Sequence, residues 1–389
     1  MRVLTSMRFV LVSVAVIAAA MAGPAYAASA PGDGAKTPGE AALQALIEQA
    51  KTEPTVVSGR VTLALIPTVE KANRLFNERF GLNKRIEIAQ GVDNTFITQM
   101  MAALDLGGKP ELSFYSTNGS DMPMFISKGY AAEIKDWELL LTEINPRVKS
   151  GTVKSTDISR AGYTGYAFAH SNRLKGVGYN TKLASPETLP RTYAEIADPK
   201  YKGQYAIEPW TSHWEALAYM YHPDRIDSFI KVMNGIGQNT YVVSRSHQLI
   251  PRMAQGEFKF MTLNAEVVTE FVAQNPGAPI DFYFMDDMTL VETTLMFVPP
   301  KSPAPASAAL WTMYFSHPEA QALRGANAPN IMYGELKSDL YLKERLVGKN
   351  VWDWTNSDST VAFWKWLNSE DAPAKALNGN ILAAIRQRQ

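Results

Sequence analysis

Residues 85–129 decide the fold class, and their sequence is RIEIAQGVDNTFITQMMAALDLGGKPELSFYSTNGSDMPMFISKG. Alternating apolar residues in 85–89 predict a strand, and apolar residues at helical spacing in 95–106 predict a helix that ends at a Gly-Gly pair. The pattern repeats with a strand at 111–115 and a helix at 122–128. Strands that alternate with helices in this way predict an α/β protein with a mainly parallel sheet.

The same alternation continues on both sides of this stretch. Upstream, we predict an amphipathic helix at 39–53, a strand at 61–66 and a helix at 69–80. Downstream, a Gly- and Tyr-rich extended segment at 161–180 is followed by a helix at 189–196 and a second set of elements. The strands of that set are predicted at 204–208, 258–263, 280–285 and 294–298. This second set predicts a second α/β lobe.

Ligands of open α/β sheets bind at the carboxyl ends of the strands, which directs attention to the residues that follow each predicted strand. Small polar residues follow two of the early strands, and an aromatic-rich turn follows the strand at 204–208. The candidate ligand-binding residues are Thr68, Asp93, Asn94, Thr95, Thr117, Asn118, Trp210, Thr211, Ser212, His213, Trp214, Asn264, Glu266 and Asp286. The alternative roles are helix capping for the polar residues and core packing for the two tryptophans.

Residues 1–27 have the three parts of a secretory signal peptide. A start with two arginines precedes an apolar run at 9–20, and the cleavage motif Ala25-Tyr26-Ala27 follows. The apolar run is shorter than the ~20 residues that a membrane-spanning helix needs, which disfavours an N-terminal anchor. We therefore expect a cleaved signal peptide at 1–27, a leader and N-terminal helix at 28–58, and a periplasmic mature protein.

The composition excludes several classes of protein. The 38 basic and 38 acidic side chains cancel, whereas nucleic-acid binding usually needs a basic excess. No cysteine is present, which excludes disulfides, thiolate metal sites, cysteine nucleophiles and a lipid-modified cysteine. We expect a soluble exported protein that does not have nucleic acid as a partner.

The sequence shows no compact catalytic signature. A G-x-S-x-G elbow, an H-E-x-x-H helix and a phosphate-binding loop are all missing from it. The histidines lie far apart, and adjacent residues such as Asp286 and Asp287 point to opposite faces of a strand. We therefore expect neither an enzyme nor a resident cofactor or metal. The alternative is a periplasmic hydrolase or lyase assembled from distant residues.

Three stretches resemble the periplasmic solute-binding proteins of ABC transporters, in the group with ferric-ion, polyamine, thiamine and aminoalkylphosphonate binders. The first is GYNTKL at 178–183 with PRTYAEIADPKYKG at 190–203. The second is IPRMAQGEFKF at 250–260, and the third is 306–321, which contains SHPEAQ. DPKYKG is the most specific of these motifs, and the resemblance spans about residues 59–330.

This resemblance implies the two-lobed periplasmic-binding-protein fold of type II, in which two hinge strands join the lobes and the ligand lies in the cleft between them. With this fold, we expect lobe I at 59–165 plus 287–335 and lobe II at 166–286 plus 336–389. The resemblance also implies hinge closure on the ligand and delivery to an inner-membrane ABC permease. We expect the protein to be a monomer.

The resemblance leaves the ligand open. Iron-binding members typically place a Tyr-Tyr pair after the strand at 258–263, whereas this chain has Ala265, Glu266 and Val267. Aromatic side chains beside a carboxylate suit an organic cation, while Arg173 or Arg245 offers a partner to an anion. We expect a small polar organic solute, with an amine-containing solute favoured and a ferric ion as the alternative.

Overall fold

The computed structural model describes residues 36–386, apart from 62–64, 91–92, 161, 211, 223, 326–327, 333, 335, 354–357 and 368. The predicted signal peptide, most of the leader and Thr211 lie outside the described residues. In the part of the chain that is described, no helix is both long and apolar enough to cross a membrane.

The described residues form ten strands and sixteen α-helices, with four short 3₁₀ turns. The strands are β1 (Val56–Arg60), β2 (Arg85–Ile88), β3 (Phe114–Asn118), β4 (Ala167–Asn180), β5 (Tyr205–Ile207), β6 (Thr240–Val243), β7 (Phe260–Asn264), β8 (Ile280–Tyr283), β9 (Thr289–Phe297) and β10 (Val351–Asp353). The helices are α1 (Pro38–Thr52), α2 (Ile66–Phe80), α3 (Asp93–Asp105), α4 (Met122–Ser127), α5 (Trp137–Ile144), α6 (Pro146–Lys149), α7 (Ser155–Ile158), α8 (Ser212–Ala218), α9 (Ile226–Asn239), α10 (Ser246–Ala254), α11 (Ala265–Gln274), α12 (Pro305–Tyr314), α13 (Pro318–Gln321), α14 (Lys337–Arg345), α15 (Asp358–Leu367) and α16 (Ala372–Arg386). The 3₁₀ turns are Pro186–Thr188, Ala194–Ala197, Pro199–Tyr201 and Tyr219–Tyr221.

The strands form one sheet whose main path has the order β2-β1-β3-β9-β4-β7-β5-β6. β1 pairs in parallel with β2 and β3, and β5 pairs in parallel with β6 and β7. Between these two groups, β4 and β9 run antiparallel to each other. They join two parallel-stranded halves, which we call lobe I (with β1–β3) and lobe II (with β5–β7).

β4 and β9, the two hinge strands, are buried along almost their whole length. Continuous burial is expected for strands that are covered on both faces. β3 pairs with β9 over Tyr115–Asn118, with Asn118 opposite Thr294, while β10 pairs with β9 at Thr289–Val291. The carboxyl ends of β3 and β10 therefore approach each other along β9, beside Glu292 and Thr293.

Each lobe has one apolar core on each face of the sheet. Successive side chains of β9 point alternately to the cores on one face and to the cores on the other. Met296 lies in the lobe I core with α1, α2, α5 and α12, and Leu290 lies in the lobe II core with α8, α9 and α16. Leu295 and Val291 lie in the opposite cores, with α3 and α4 in lobe I and with α10, α11 and α14 in lobe II. We call the Met296 and Leu290 side the front face and the opposite side the back face.

Local sequence signals explain where key helices of lobe I begin and end. Pro67 lies in the first turn of α2, where its missing N–H costs nothing, and Gly81 ends that helix in the left-handed conformation with φ 60°. The Glu53 carboxylate accepts the N–H groups of Ala306 and Ser307 at 2.7 and 2.8 Å. It thereby caps α12 and ties the segment after α1 to the lobe I core.

Most of the predicted elements are confirmed, and two differ from the observed boundaries or type. The helices predicted at 69–80 and 95–106 and the strand predicted at 85–89 are present as α2, α3 and β2. Of the strand predicted at 61–66, residues 62–64 lie outside the described residues; the strand observed here is Val56–Arg60, and α2 already begins at Ile66. The helix predicted at 189–196 is wrong, since only the turn Ala194–Ala197 forms after Pro190.

Candidate functional site

The candidate site lies on the front face of the hinge strands, where polar side chains stand between the apolar cores of the two lobes. Asn118 of β3 and Ser171 of β4 lie opposite Thr294, and Arg173 lies opposite Glu292. Directly opposed residues on neighbouring strands point to the same face of the sheet. These five side chains therefore share the front face.

A buried ion pair crosses the two hinge strands on this face. Lys175 Nζ lies 3.6 Å from Glu292 Oε2, and the two side chains are 5% and 2% exposed. Lys175 is also opposite Asn264, the last residue of β7, which brings lobe II to the same polar patch. Burying two charges is costly unless further polar groups form hydrogen bonds with them. The hydrogen-bond partners of the other polar atoms in this patch therefore show whether the protein itself meets that cost.

Three buried polar atoms of this patch on the hinge strands and the end of β7 have no hydrogen-bond partner among the described residues. They are Glu292 Oε1, Thr294 Oγ1 and Asn264 Oδ1. An unpaired buried polar atom costs about 1–3 kcal/mol, and native proteins leave very few of them. Since the two carbonyl-type oxygens accept hydrogen bonds and the hydroxyl can accept too, the patch suits a group that donates.

Glu266 lies beside this patch at the start of α11. Its Oε2 accepts the N–H of Leu174 on β4 at 3.2 Å. Burial raises the pKa of the Glu266 carboxyl to about 7, although backbone N–H groups and the charges of Arg173 and Lys175 act in the opposite direction. The side chain can therefore hold or release a proton near neutral pH.

α8 brings His213 and Trp214 into the lobe II core on the front side. The His213 ring lies 5.2 Å from the Tyr193 ring and 4.6 Å from the Trp214 ring, measured between centroids. Burial, together with the charge of Lys175, holds the pKa of His213 well below its usual range, so the imidazole is neutral. His213 Nε2 has no partner among the described residues, whereas Trp214 is packed in the apolar core.

On the lobe I side, Thr117 already has a partner. Its Oγ1 donates to Asp121 Oδ2 at 2.7 Å. Burial raises the pKa of Asp121, and the nearby charge of Glu292 raises it further. Because Thr117 lies opposite Leu295, it points to the back face, while its neighbour Asn118 points to the front.

An exposed aromatic side chain marks the rim of lobe II. Trp210 follows β5 and remains 47% exposed. The guanidinium of Arg245, which follows β6, lies 5.6 Å from the centre of the Trp210 ring, within the range of a cation–π contact. Both side chains extend beyond the carboxyl ends of their strands.

The other predicted residues that are described have partners elsewhere or lie at the starts of helices. The Thr68 hydroxyl is buried in α2, 3.4 Å from the carbonyl oxygen of Leu323. Asp286 is exposed and pairs with Arg191 and Lys349. The remaining four begin helices: Asp93, Asn94 and the exposed Thr95 at the start of α3, and Ser212 at the start of α8.

Sequence reasoning missed the polar residues that the hinge strands themselves contribute. Ser171, Lys175, Glu292 and Thr294 lie inside strands, whereas the candidates were sought only at strand ends. A signal was present, because Glu292 is the one charged residue in the otherwise apolar and β-branched stretch 289–298, TLVETTLMFV. A charged side chain in a buried strand requires a polar or charged partner, so a lone Glu in an apolar stretch indicates a polar site within the strand.

The described residues contain no group of three or more His, Asp or Glu side chains that could hold a metal ion.

The sequence matches the family model of bacterial extracellular solute-binding proteins over residues 73–327. The chain belongs to this family. No curated protein matches the chain. The family resemblance inferred from GYNTKL and DPKYKG is therefore confirmed, and the family is one of binding proteins rather than enzymes.

Solved structures show the fold of this solute-binding protein. Iron-bound HitA from Pseudomonas aeruginosa is 15% identical with a TM-score of 0.62, over 84% of this chain and 99% of that chain. The spermidine/putrescine ABC transporter substrate-binding protein PotD from Streptococcus pneumoniae is 9% identical with a TM-score of 0.61, over 86% and 99%. A GABA receptor is 14% identical with a TM-score of 0.62, over 86% and 98%. The predicted two-lobed α/β fold is confirmed.

Proposed function

We propose that this protein is the substrate-binding component of an ABC importer that captures a small polar organic solute, with an amine-containing solute favoured. The observation that carries the proposal is the unpaired set Glu292 Oε1, Thr294 Oγ1 and Asn264 Oδ1 on the front face. An ammonium group offers three donors and a charge that pairs with a carboxylate. Such a group would satisfy the acceptors that the protein leaves open.

The names of the solved relatives are compatible with this choice. One is a spermidine/putrescine binding protein and another a GABA receptor, and all three of those compounds carry amino groups. A third relative is iron-bound, whereas this chain has Ala265, Glu266 and Val267 where iron-binding members typically place a Tyr-Tyr pair. An organic amine therefore fits this chain better than a ferric ion.

The proposed binding surface combines residues from both lobes with the hinge floor. From lobe I we include Asn118, and from lobe II Trp210, His213, Asn264 and Glu266. The other candidates from the sequence stay a prediction: Thr68, Asp93, Asn94, Thr95, Thr117, Thr211, Ser212, Trp214 and Asp286.

Ligand would close the two lobes about β4 and β9. Contacts from both lobes exist together only in the closed state, so ligand stabilises that state by its differential affinity. For this motion we propose lobe I as 59–165 plus 287–335 and lobe II as 166–286 plus 336–389. The two separate pairs of apolar cores support a division into two lobes.

The cellular setting follows from the family and the N-terminal sequence. We propose that a signal peptide at 1–27 exports the chain to the periplasm, where it works as a monomer and docks on an inner-membrane permease. Comparing the N-terminal residue of the exported protein with Ala28 tests the cleavage, and light scattering tests the monomer.

A thermal-shift screen tests the function. The compounds are polyamines, amino acids, phosphonates, aromatic carboxylates and chelated Fe³⁺, each mixed with the mature protein. A ligand at 100 times its Kd adds about 2.7 kcal/mol to the free energy of unfolding, which is a clear shift in melting temperature. Recovery of the compound unchanged after incubation separates a binding protein from a hydrolase or lyase. If no compound shifts the melting temperature, the proposed function fails.

A further inference from the structure

The front face also has a positively charged side chain that forms no ion pair within the described residues. Arg173 is half-buried on β4, directly opposite Glu292. Among the described residues it has no hydrogen bond and no ion pair within 4 Å. Its charge acts instead on the surroundings: burial and then the charge of Arg173 lower the pKa of His170, and the same charge opposes the burial that raises the pKa of Glu266. An arginine in this position is prepared to bind a carboxylate.

Glu292 is only partly neutralised by its own partner. Lys175 approaches Oε2, while Oε1 remains unpaired together with the Thr294 hydroxyl two residues along the same strand. Both side chains are more than nine-tenths buried. Directly opposed residues have Cβ atoms ~5 Å apart, so the open guanidinium and the open carboxylate oxygen belong to neighbouring subsites.

We infer that the solute is a small amino acid, whose ammonium group binds Glu292 and Thr294 and whose carboxylate binds Arg173. This inference rests on the proposed importer function and specifies its substrate. A simple amine would leave Arg173 open and add a positive charge to a face that already holds Arg173 and Lys175. A simple carboxylate would leave Glu292 Oε1 and Thr294 Oγ1 open. A zwitterion satisfies both subsites without changing the net charge.

Isothermal titration of the mature protein tests the inference. The zwitterionic probes are the twenty standard amino acids and 4-aminobutanoate, which separate α- from ω-amino acids. Two further probes carry charge of one sign only: 1,4-diaminobutane, which is a dication, and butanoate, which is an anion. We expect the tightest ligand to be a zwitterion, with both of these probes binding at least tenfold more weakly.

Substitutions assign the two subsites. Glu292→Gln and Arg173→Met should each weaken binding of that zwitterion at least tenfold. Thr294→Val keeps every charge and should weaken it several-fold, so it tests the ammonium subsite even if Glu292→Gln perturbs folding. The matched controls are Glu78→Gln and Arg74→Met, an exposed Glu–Arg pair on α2, and they should bind like the parent protein.

The outcomes separate the two levels of the proposal. If the diamine or butanoate is the tightest ligand, the amino-acid inference is overturned and the proposed importer of an organic solute stands; if chelated Fe³⁺ is the tightest ligand, the organic solute is overturned as well. The amino-acid inference alone is also overturned if a zwitterion binds and Thr294→Val, Glu292→Gln and Arg173→Met leave its affinity unchanged. If neither these probes nor the wider screen yields a ligand, the proposed function fails as well.

Discussion

The hinge strands carry two buried polar clusters, and the two clusters differ in how far the protein satisfies them. On the front face, Glu292, Thr294 and Asn264 each leave one polar atom unpaired among the described residues. On the other side, the segment that leads from α13 to α14 forms what we call the hinge clasp: Gln321, Arg324, Asn330 and Asp339, bonded to Asn172 of β4. The clasp uses nearly all of its donors and acceptors within the protein.

The contacts of the clasp show this directly. Arg324 Nη2 donates to Asp339 Oδ2 at 2.8 Å, and the Asn330 N–H donates to Asp339 Oδ1 at 2.8 Å. Asn172 accepts the Ile331 N–H at 2.9 Å and donates to the Thr293 hydroxyl at 3.1 Å. Arg324 Nε is the exception, with no partner among the described residues. Burial of polar groups alone therefore does not distinguish a structural cluster from a binding surface, whereas their satisfaction does.

The largest expected effect comes from breaking the clasp. Arg324 and Asp339 are fully buried, so Asp339→Ala leaves an uncompensated guanidinium in the protein interior. We expect a loss of about 3–5 kcal/mol in the free energy of unfolding, measured by denaturant titration. The control is Asp281→Ala, because Asp281 pairs with Arg345 at a partly exposed site and its loss should cost about 1 kcal/mol or less. Equal losses in the two variants would contradict a structural role for the clasp.

The charge of Glu266, beside the front face, should lower stability rather than support it. Its pKa is raised to about 7 in the folded protein, so folding favours the protonated carboxyl. The stabilisation is complete below the unfolded pKa of 4.5 and is lost as the pH rises through 7. The full span is on the order of 3 kcal/mol.

Glu266→Gln keeps a neutral side chain at every pH and removes this dependence. We expect the variant to match the parent protein in denaturant unfolding near pH 4.5 and to exceed it above pH 8. If the free energies of unfolding of the two proteins differ by the same amount at every pH from 4.5 to 8, the Glu266 carboxyl does not titrate in that range and the prediction is wrong.

The sequence predicted the lobes better than it predicted the floor between them. Apolar periodicity located α3, and the motif DPKYKG pointed to the two-lobed fold, because both signals are local. The candidates Asn264 and Glu266 were found since they follow the predicted strand at 258–263. Lys175 and Glu292, by contrast, meet only through the pairing of β4 with β9, which are more than a hundred residues apart in the chain. No local pattern fixes such a register.

The sequence could not predict which buried polar groups form hydrogen bonds either, because that too depends on how distant strands pair. Thr293 and Thr294 are adjacent and identical in type, and both are almost fully buried. Only the observed faces show that one hydroxyl bonds to Asn172 while the other remains open. This pair of threonines provides the most sensitive test of the comparison between the two clusters.

Thr293→Val and Thr294→Val change the same atoms on opposite faces of β9. Thr293→Val removes the acceptor of the Asn172 amide, so the unpaired donor should lower the free energy of unfolding by about 1–3 kcal/mol. Thr294→Val removes a hydroxyl that has no partner, so we expect stability to rise, by about 1 kcal/mol. Denaturant titration of both variants, without ligand, measures the difference. Because the two residues are neighbours of the same type, strand propensity and side-chain volume cancel between them. Losses of similar size would mean that the front face is as well satisfied as the back face, and the case for a ligand at Thr294 would then lose its physical basis.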